Sequence, residues 1–216
     1  MKNRNVCLLL GFLALAVGGC DLPGIRGNGK IVTDQRTIDD FSEIHTRGSF
    51  RIEWRNGPPA LSITTDENLL PYIETRKIDN RLELRTRERV RPRHGINVVV
   101  SSSTRSGAKL SGATDLAVSG LTSPRFALET SGAADVVLDG VVEELLADMT
   151  GASDLKAKAL QARTVQISTT GAASAQVNPI DTLRVSITGA GDVTYLGNPK
   201  TIEKNITGAG SIHHKD

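Results

Sequence analysis

From residue 111 onward, a hydroxyl–Gly–Ala tripeptide recurs six times: Ser111-Gly112-Ala113, Ser131-Gly132-Ala133, Thr150-Gly151-Ala152, Thr170-Gly171-Ala172, Thr188-Gly189-Ala190 and Thr207-Gly208-Ala209. The glycines lie 20, 19, 20, 18 and 19 residues apart. Self-similarity at so constant a period marks a repeat architecture, in which a single unit cannot bury its apolar face and must stack on its neighbours. Apolar residues keep the same register. Four after each glycine stand Leu116, Val136, Leu155, Ala175, Val193 and Ile212. Nine after stand Leu121, Val141, Leu160 and Ile180, and fourteen after stand Phe126, Leu146, Val165 and Val185. Each of these columns is expected to face inward.

No segment sustains a 3.6-residue period. Short β-branched runs alternate instead, as in Leu183-Arg184-Val185-Ser186-Ile187. The leucine-rich repeat has a similar period, but its Leu-x-x-Leu-x-Leu and Asn positions are missing, and the nonapeptide calcium-binding repeat is far shorter. The expected fold is all-β, a right-handed parallel β-helix with coils of about 19–20 residues, the hand following the general crossover preference. Such a core is aliphatic: only six aromatic residues lie beyond residue 19.

The N-terminus has a different character. Lys2 and Arg4 precede an apolar run from Val6 to Val17, too short to span a bilayer and suited to a signal peptide. Val17-Gly18-Gly19-Cys20 then resembles a lipobox, with Cys20 as the lipidated residue after cleavage. The expected organisation is a signal peptide over 1–19, a lipid-anchored tether over 20–36, and one domain over 37–216 with regular repeats from about 108. Removing residues 1–19 removes two basic and no acidic residues, leaving 24 of each sign and no global nucleic-acid signature. Cys7 and Cys20 are the only cysteines, so the body has neither a disulfide nor a thiolate metal site.

Within the domain, Phe50–Trp54, Ala60–Ile63 and Leu82–Arg85 alternate like strands, Asn56-Gly57-Pro58-Pro59 reads as a turn, and Arg47-Gly48-Ser49 as a degenerate copy of the tripeptide. These segments are expected to form the first coils and a cap over the open strand edges. The stretches Gly27-Asn28-Gly29-Lys30, Phe41-Ser42-Glu43-Ile44, Gly48-Ser49-Phe50-Arg51-Ile52, the Ser/Thr-Gly-Ala repeats, Gly189 to Pro199 and Ile206 to Ile212 resemble the putative auto-transporter adhesin head GIN domain family. The resemblance covers nearly all of the chain beyond the signal segment. It implies a right-handed parallel β-helix in an exported bacterial protein, often a lipoprotein, and it carries over no catalytic residue and no cofactor.

Two features could carry function. Three residues after each glycine stand Asp115, Asp135, Asp154, Ser174, Asp192 and Ser211. Stacked strands roughly 4.8 Å apart would make this a carboxylate ladder, with neighbours repelling by about 0.9 kcal/mol in water. One reading is a Ca²⁺ site at Asp115, Asp135 and Asp154; the other is local Asx turns. The second feature is Arg85, Arg87, Arg89, Arg91 and Arg93, which alternation places on one face if the segment is extended. Residues 76–93 carry eight basic and three acidic residues, whereas 126–155 carry seven acidic and no basic ones. The strip is expected either to dock an anionic partner, such as polysaccharide, lipopolysaccharide or lipid headgroups, or to guard a solvated strand. The charge asymmetry also allows self-association.

For catalysis the sequence offers little. No Gly-x-Ser-x-Gly elbow, phosphate loop or His-Glu-x-x-His is present, and His213 and His214 lie at the tail. The expectation is therefore a non-enzymatic lipoprotein of the cell envelope, facing the periplasm or cell surface, that binds or spaces envelope components. The alternative is a β-helical polysaccharide lyase or hydrolase acting through the aspartate ladder, an analogy of fold alone.

Overall fold

The computed structural model describes residues 24–215. The signal segment and Cys20 lie outside these residues. Thirteen strands are formed: β1 (Ile25–Arg26), β2 (Ile31–Arg36), β3 (Glu43–Asn56), β4 (Ala60–Asp66), β5 (Ile73–Ile78), β6 (Arg81–Thr86), β7 (Val90–Arg91), β8 (Asn97–Ser102), β9 (Gly107–Gly171), β10 (Ser174–Gly189), β11 (Asp192–Tyr195), β12 (Thr201–Gly208) and β13 (Ser211–His214). A 3-10 turn spans Glu67–Tyr72. Apart from the small β1–β7 pair, all strands join one mixed sheet.

The repeats account for the parallel part. β10 pairs in parallel with β9, so that Leu183 lies opposite Val165 and Gly189 opposite Gly171. β12 pairs in parallel with β10, and β13 with β11. β3 pairs with the start of β9 over Glu43 to Trp54, with Gly48 opposite Gly112. Arg47-Gly48-Ser49 is thus the first copy of the tripeptide, 64 residues before the second.

The glycine of the tripeptide is required by close backbone approach. At Gly112, Gly132, Gly151, Gly171, Gly189 and Gly208, a Cβ would stand within 3.0 Å of the carbonyl oxygen of the preceding glycine in the series. Each also has φ between 106° and 126°, a conformation costly for any residue with a Cβ. The single extended run of β9 therefore returns on itself at every glycine from 112 to 171.

The inward columns follow from alternation about this glycine. Leu116, Val136, Leu155, Ala175 and Val193 are all buried, with Ile212 half-buried at the end. The other two columns need correction. Leu121 and Leu160 are buried, but Val141 and Ile180 are exposed and their neighbours Val142 and Pro179 take the inward places. Leu146 is half-buried, while Leu145 is buried. The repeats vary in length, and the variation is absorbed at the corner farthest from the glycine, so a count forward from glycine slips by one. Counting back six from the following glycine gives Phe126, Leu145, Val165 and Leu183, none more than 1% exposed.

At the N-terminal end the pairing turns antiparallel. The free side of β3 is shared: Glu43–Arg47 takes β6 and Arg51–Asn56 takes β8, both in parallel. Beyond them β5 lies antiparallel on β6, β4 on β8, and β2 on β4. The β5–β6 connection is a tight hairpin through Asp79-Asn80, with Asp79 at φ 52°; short-side-chain Asp tolerates this conformation. Beneath these strands the aromatic residues collect. Trp54 stacks on Phe41 with centroids 5.8 Å apart and lies 6.4 Å from Phe126. Its indole N–H donates to Ser102 Oγ at 2.8 Å, the satisfaction a buried indole requires. Because β1 and β2 are built into this end, the segment expected as a tether over 20–36 is ordered from Ile25.

Candidate functional site: a guanidinium-rich N-terminal end

The five alternating arginines do not share one face. β6 ends at Thr86, the Arg87 N–H turns back to the Tyr72 carbonyl at 2.9 Å, and β7 pairs with β1 in a separate sheet. The strip is thereby divided. Leu82 and Leu84 are buried behind it, as the alternation predicts.

Arg85 and Arg87 close on one carboxylate. Arg85 Nε donates to Glu74 Oε2 at 2.5 Å, Arg87 Nε donates to Glu74 Oε1, and Arg76 lies 3.5 Å away. The Glu74 side chain is 9% exposed. Bonds from Arg87 and Arg85 hold its carboxyl below the usual range despite burial. Three guanidiniums on one carboxylate leave an excess of positive charge. Arg47 adds to it: it lies opposite Arg85 across the β3–β6 ladder, is exposed, and has no ion-pair partner among the described residues. Like charges opposed across a ladder destabilise a sheet. His45, Arg47, Arg85 and Lys109, with Glu83, line a shallow depression of about 200 Å³ here.

Arg91 and Arg93 belong to a second group. With Arg26 they line a cleft of about 370 Å³. Arg93 is positioned by its N–H to Asp66 Oδ2 at 2.9 Å and by its Nε to the Gly27 carbonyl at 3.1 Å. Asp66 is wholly buried and also accepts the Gly29 N–H at 2.6 Å. Burial raises its carboxyl, but the N–H groups of Arg93 and Gly29 outweigh this and the net direction is down. Gly27 packs so closely on the Asp66 carboxylate that a Cβ would overlap it, which explains the Gly-x-Gly motif at 27–29. Arg89 lies exposed between the two groups. Sequence reasoning missed Asp66 and Glu74; the Gly27-Asn28-Gly29 motif was the available signal for the first, and a lone acidic residue two before Arg76 in the run Ile73–Ile78 for the second.

The aspartate ladder is in register and exposed, and its members face side chains of adjacent layers. Asp115 lies 3.7 Å from Arg51, Asp135 accepts from Lys156 Nζ at 3.0 Å, and Asp192 bonds Ser211. Asp135 in turn raises the Lys156 amine above its ordinary value. These residues lie on strands, and none of these bonds closes an Asx turn. Among the described residues no group of three or more His, Cys, Asp or Glu has the arrangement to hold a metal ion. Asp192, Ser211 and His213 supply the residue types of a nucleophilic triad, but Asp192 and His213 both bond the Ser211 hydroxyl. A triad needs the carboxylate on the imidazole. His214 stacks on Tyr195 at 4.9 Å.

The comparisons with known proteins bear on the whole of this architecture. The family model described as "Putative auto-transporter adhesin, head GIN domain" matches residues 40–199. The chain belongs to this family. Among solved structures, it is similar to a putative adhesin from Bacteroides fragilis, at 22% identity and TM-score 0.74, covering 89% of this chain and 100% of that one. A putative adhesin from Parabacteroides distasonis is 19% identical with TM-score 0.59, over 89% and 100% of the two chains. One from Parabacteroides merdae is 22% identical with TM-score 0.56, over 89% and 99%. At these identities the likeness is one of fold. No curated protein matches the chain.

Proposed function

We propose that this GIN-domain chain is a non-enzymatic, adhesin-like module of the cell envelope, exported and anchored through Cys20, whose N-terminal end docks an anionic envelope component. The scaffold is read as a right-handed parallel β-helix. Parallel pairing at offsets of 17 to 20 residues between β9, β10 and β12 supports the helix, and the general crossover preference supports the hand. Membership of an adhesin-named family supports the envelope role.

The observation that carries the docking reading is Arg47 beside Arg85, with Arg76 and Arg87 sharing the single carboxylate of Glu74. A purely structural pairing would balance this charge. An excess of guanidinium groups, which bind phosphate and carboxylate in a two-pronged fashion, suits lipopolysaccharide phosphate, acidic polysaccharide or anionic headgroups. Arg26, Arg91 and Arg93 extend the positive surface towards the point where the chain enters the domain. The test is co-sedimentation with lipopolysaccharide, peptidoglycan sacculi and phosphatidylglycerol vesicles at low and high salt. Binding that weakens with salt and is lost in Arg47→Glu/Arg89→Glu supports the reading; both side chains are exposed and neither forms an ion pair among the described residues. Absence of binding to all three, or binding indifferent to the reversal, overturns it.

A further inference from the structure

The opposite end of the molecule carries a second, separate surface. Among the described residues, β12 pairs with β10 on one side only, and β13 pairs only with β11. All eight residues of β12 are exposed. Its inward-facing positions continue the core columns: Ile202 lies over Leu183, Lys204 over Val185, and Ile206 over Ile187. The three residues beneath are at most 3% exposed, whereas Ile202 and Ile206 are 44% and 38% exposed. The last layer thus presents two core positions, an unpaired run of backbone N–H and C=O groups, and one ammonium between them.

We infer that this edge is a strand-addition site for an extended segment of a partner protein that alternates apolar, acidic and apolar side chains. Each element of the partner is set by one feature of the edge. The eight-residue ladder requires an extended backbone, which supplies the missing hydrogen bonds. Ile202 and Ile206 require apolar side chains two positions either side of the centre, since neighbours on one face recur every second residue. Lys204 requires a carboxylate, because covering this layer removes the ammonium from water and a buried charge must be paired.

Charge excludes a second copy of the chain as the occupant. Antiparallel pairing of two β12 strands that sets Ile202 against Ile206 also sets Lys204 against Lys204, and like charges directly opposite repel. Head-to-tail stacking would bring β12 to β5, the outer strand of the same ladder series. The residues of β5 aligned with Leu84 and Leu82 are Thr75 and Lys77, which again offer positive charge and no carboxylate. An inward-pointing lysine on an edge strand also prevents indiscriminate edge pairing, so one residue both bars copies and selects an acidic partner.

The test uses two capped synthetic peptides, Thr-Val-Thr-Glu-Thr-Val-Thr and the same peptide with Lys at the centre, read by amide chemical shifts and exchange protection over residues 201–208. The Glu peptide is expected to protect β12 and to bind about tenfold more tightly than the Lys peptide. Lys204→Glu is expected to reverse the order. Neither peptide protecting β12, both doing so equally, or an order unchanged by Lys204→Glu would overturn the inference. Because the readout is confined to the C-terminal edge, it is independent of anion docking at the other end.

Discussion

Residues 24–106 and residues 107–208 are held together by different means. The repeats are secured by backbone geometry. Glycines stack at a corner where no side chain fits, aliphatic columns fill the interior, and each repeat offers the next the same surface. The N-terminal part has no such regularity. It is closed by individual side chains: Asp66 gathers the N–H groups of Gly29 and Arg93, Glu74 gathers three arginines, Trp54 reaches Ser102, and Asp40 bonds Ser103. A repeat concentrates its vulnerability at the stacked glycines, whereas a cap assembled from single clamps is exposed at each of them. Five predictions test this contrast.

The largest effect is expected at the glycine stack. Gly151→Ala places a Cβ against the Gly132 carbonyl and forces a φ of +106° on alanine. We expect a loss of about 3 kcal/mol or more, measured by urea unfolding. Gly120→Ala is the control. Its φ is +59° and a Cβ there meets nothing within 4 Å, so only the conformational cost of about 1 kcal/mol is expected. Equal losses at the two sites would show that close approach is not what selects glycine in the tripeptide.

Next is the Asp66 clamp. Asp66→Ala leaves the Gly29 and Arg93 N–H groups without their acceptor, at a cost of about 2 kcal/mol, and hydrogen exchange should rise in 24–36 and 90–96 while the repeats keep their protection. Acid should act on the same region. Asp40, Glu53, Asp66 and Glu74 all have carboxyls lowered in the folded state, Asp40 by Ser103, Glu53 by Arg55, Asp66 by backbone N–H groups against burial, and Glu74 by Arg87 and Arg85. Groups so lowered contribute stability that is fully present above their unfolded values, about 3.9 to 4.3, and is lost as pH falls through the folded ones. Exchange at pH 3 should therefore open residues 24–106 before 107–208. Simultaneous opening would mean that the two parts form one cooperative unit.

What the sequence discloses follows the same division. The tripeptide and the column four residues beyond it were legible because a stacked repeat writes its geometry into the chain at a fixed interval. The columns at Val141, Leu146 and Ile180 were misplaced because corner length varies and one residue inverts a strand's faces. In the N-terminal part, strands such as Phe50–Trp54 could be read from alternation, but not which strands pair antiparallel, nor that Arg85 and Arg87 meet Glu74 eleven and thirteen residues away. Those contacts depend on the Asp79-Asn80 turn and on the departure of the chain after Thr86, which alternation alone does not reveal.

A smaller effect, of opposite sign, is expected inside the repeats. Beside the glycine stack, the hydroxyls of Thr130, Ser153 and Thr169 are buried and have no hydrogen-bond partner among the described residues. Thr169→Val keeps the side-chain shape and removes an unsatisfied hydroxyl, so it should stabilise the protein by about 1 kcal/mol, read as a higher midpoint in urea. The equivalent position nearer the cap is Thr46, whose hydroxyl meets Thr114 Oγ1 at 3.3 Å, and Thr46→Val should gain nothing. A gain at Thr46 equal to that at Thr169 would remove the distinction between the two parts at this column.

The smallest effect concerns the ion pairs that run along the repeats. Arg163 lies between Glu143 at 2.8 Å and Asp181 at 3.5 Å, joining three successive layers, and its side chain is 63% exposed. Its geometry is that of a staple. Exposed pairs, however, gain little Coulomb energy in water and restrain long side chains, so Arg163→Ala should cost no more than about 0.5 kcal/mol, near the limit of urea denaturation. The buried Arg105 differs: its guanidinium donates to the Ser119 and Gly120 carbonyls at 2.7 and 2.6 Å, and burial lowers its pKa. Removing it leaves two carbonyls unpaired and should cost several times more. If Arg163→Ala proved as costly as Arg105→Ala, side-chain staples would share with the glycine stack the task of holding the repeats, and the contrast between the two parts would be one of degree.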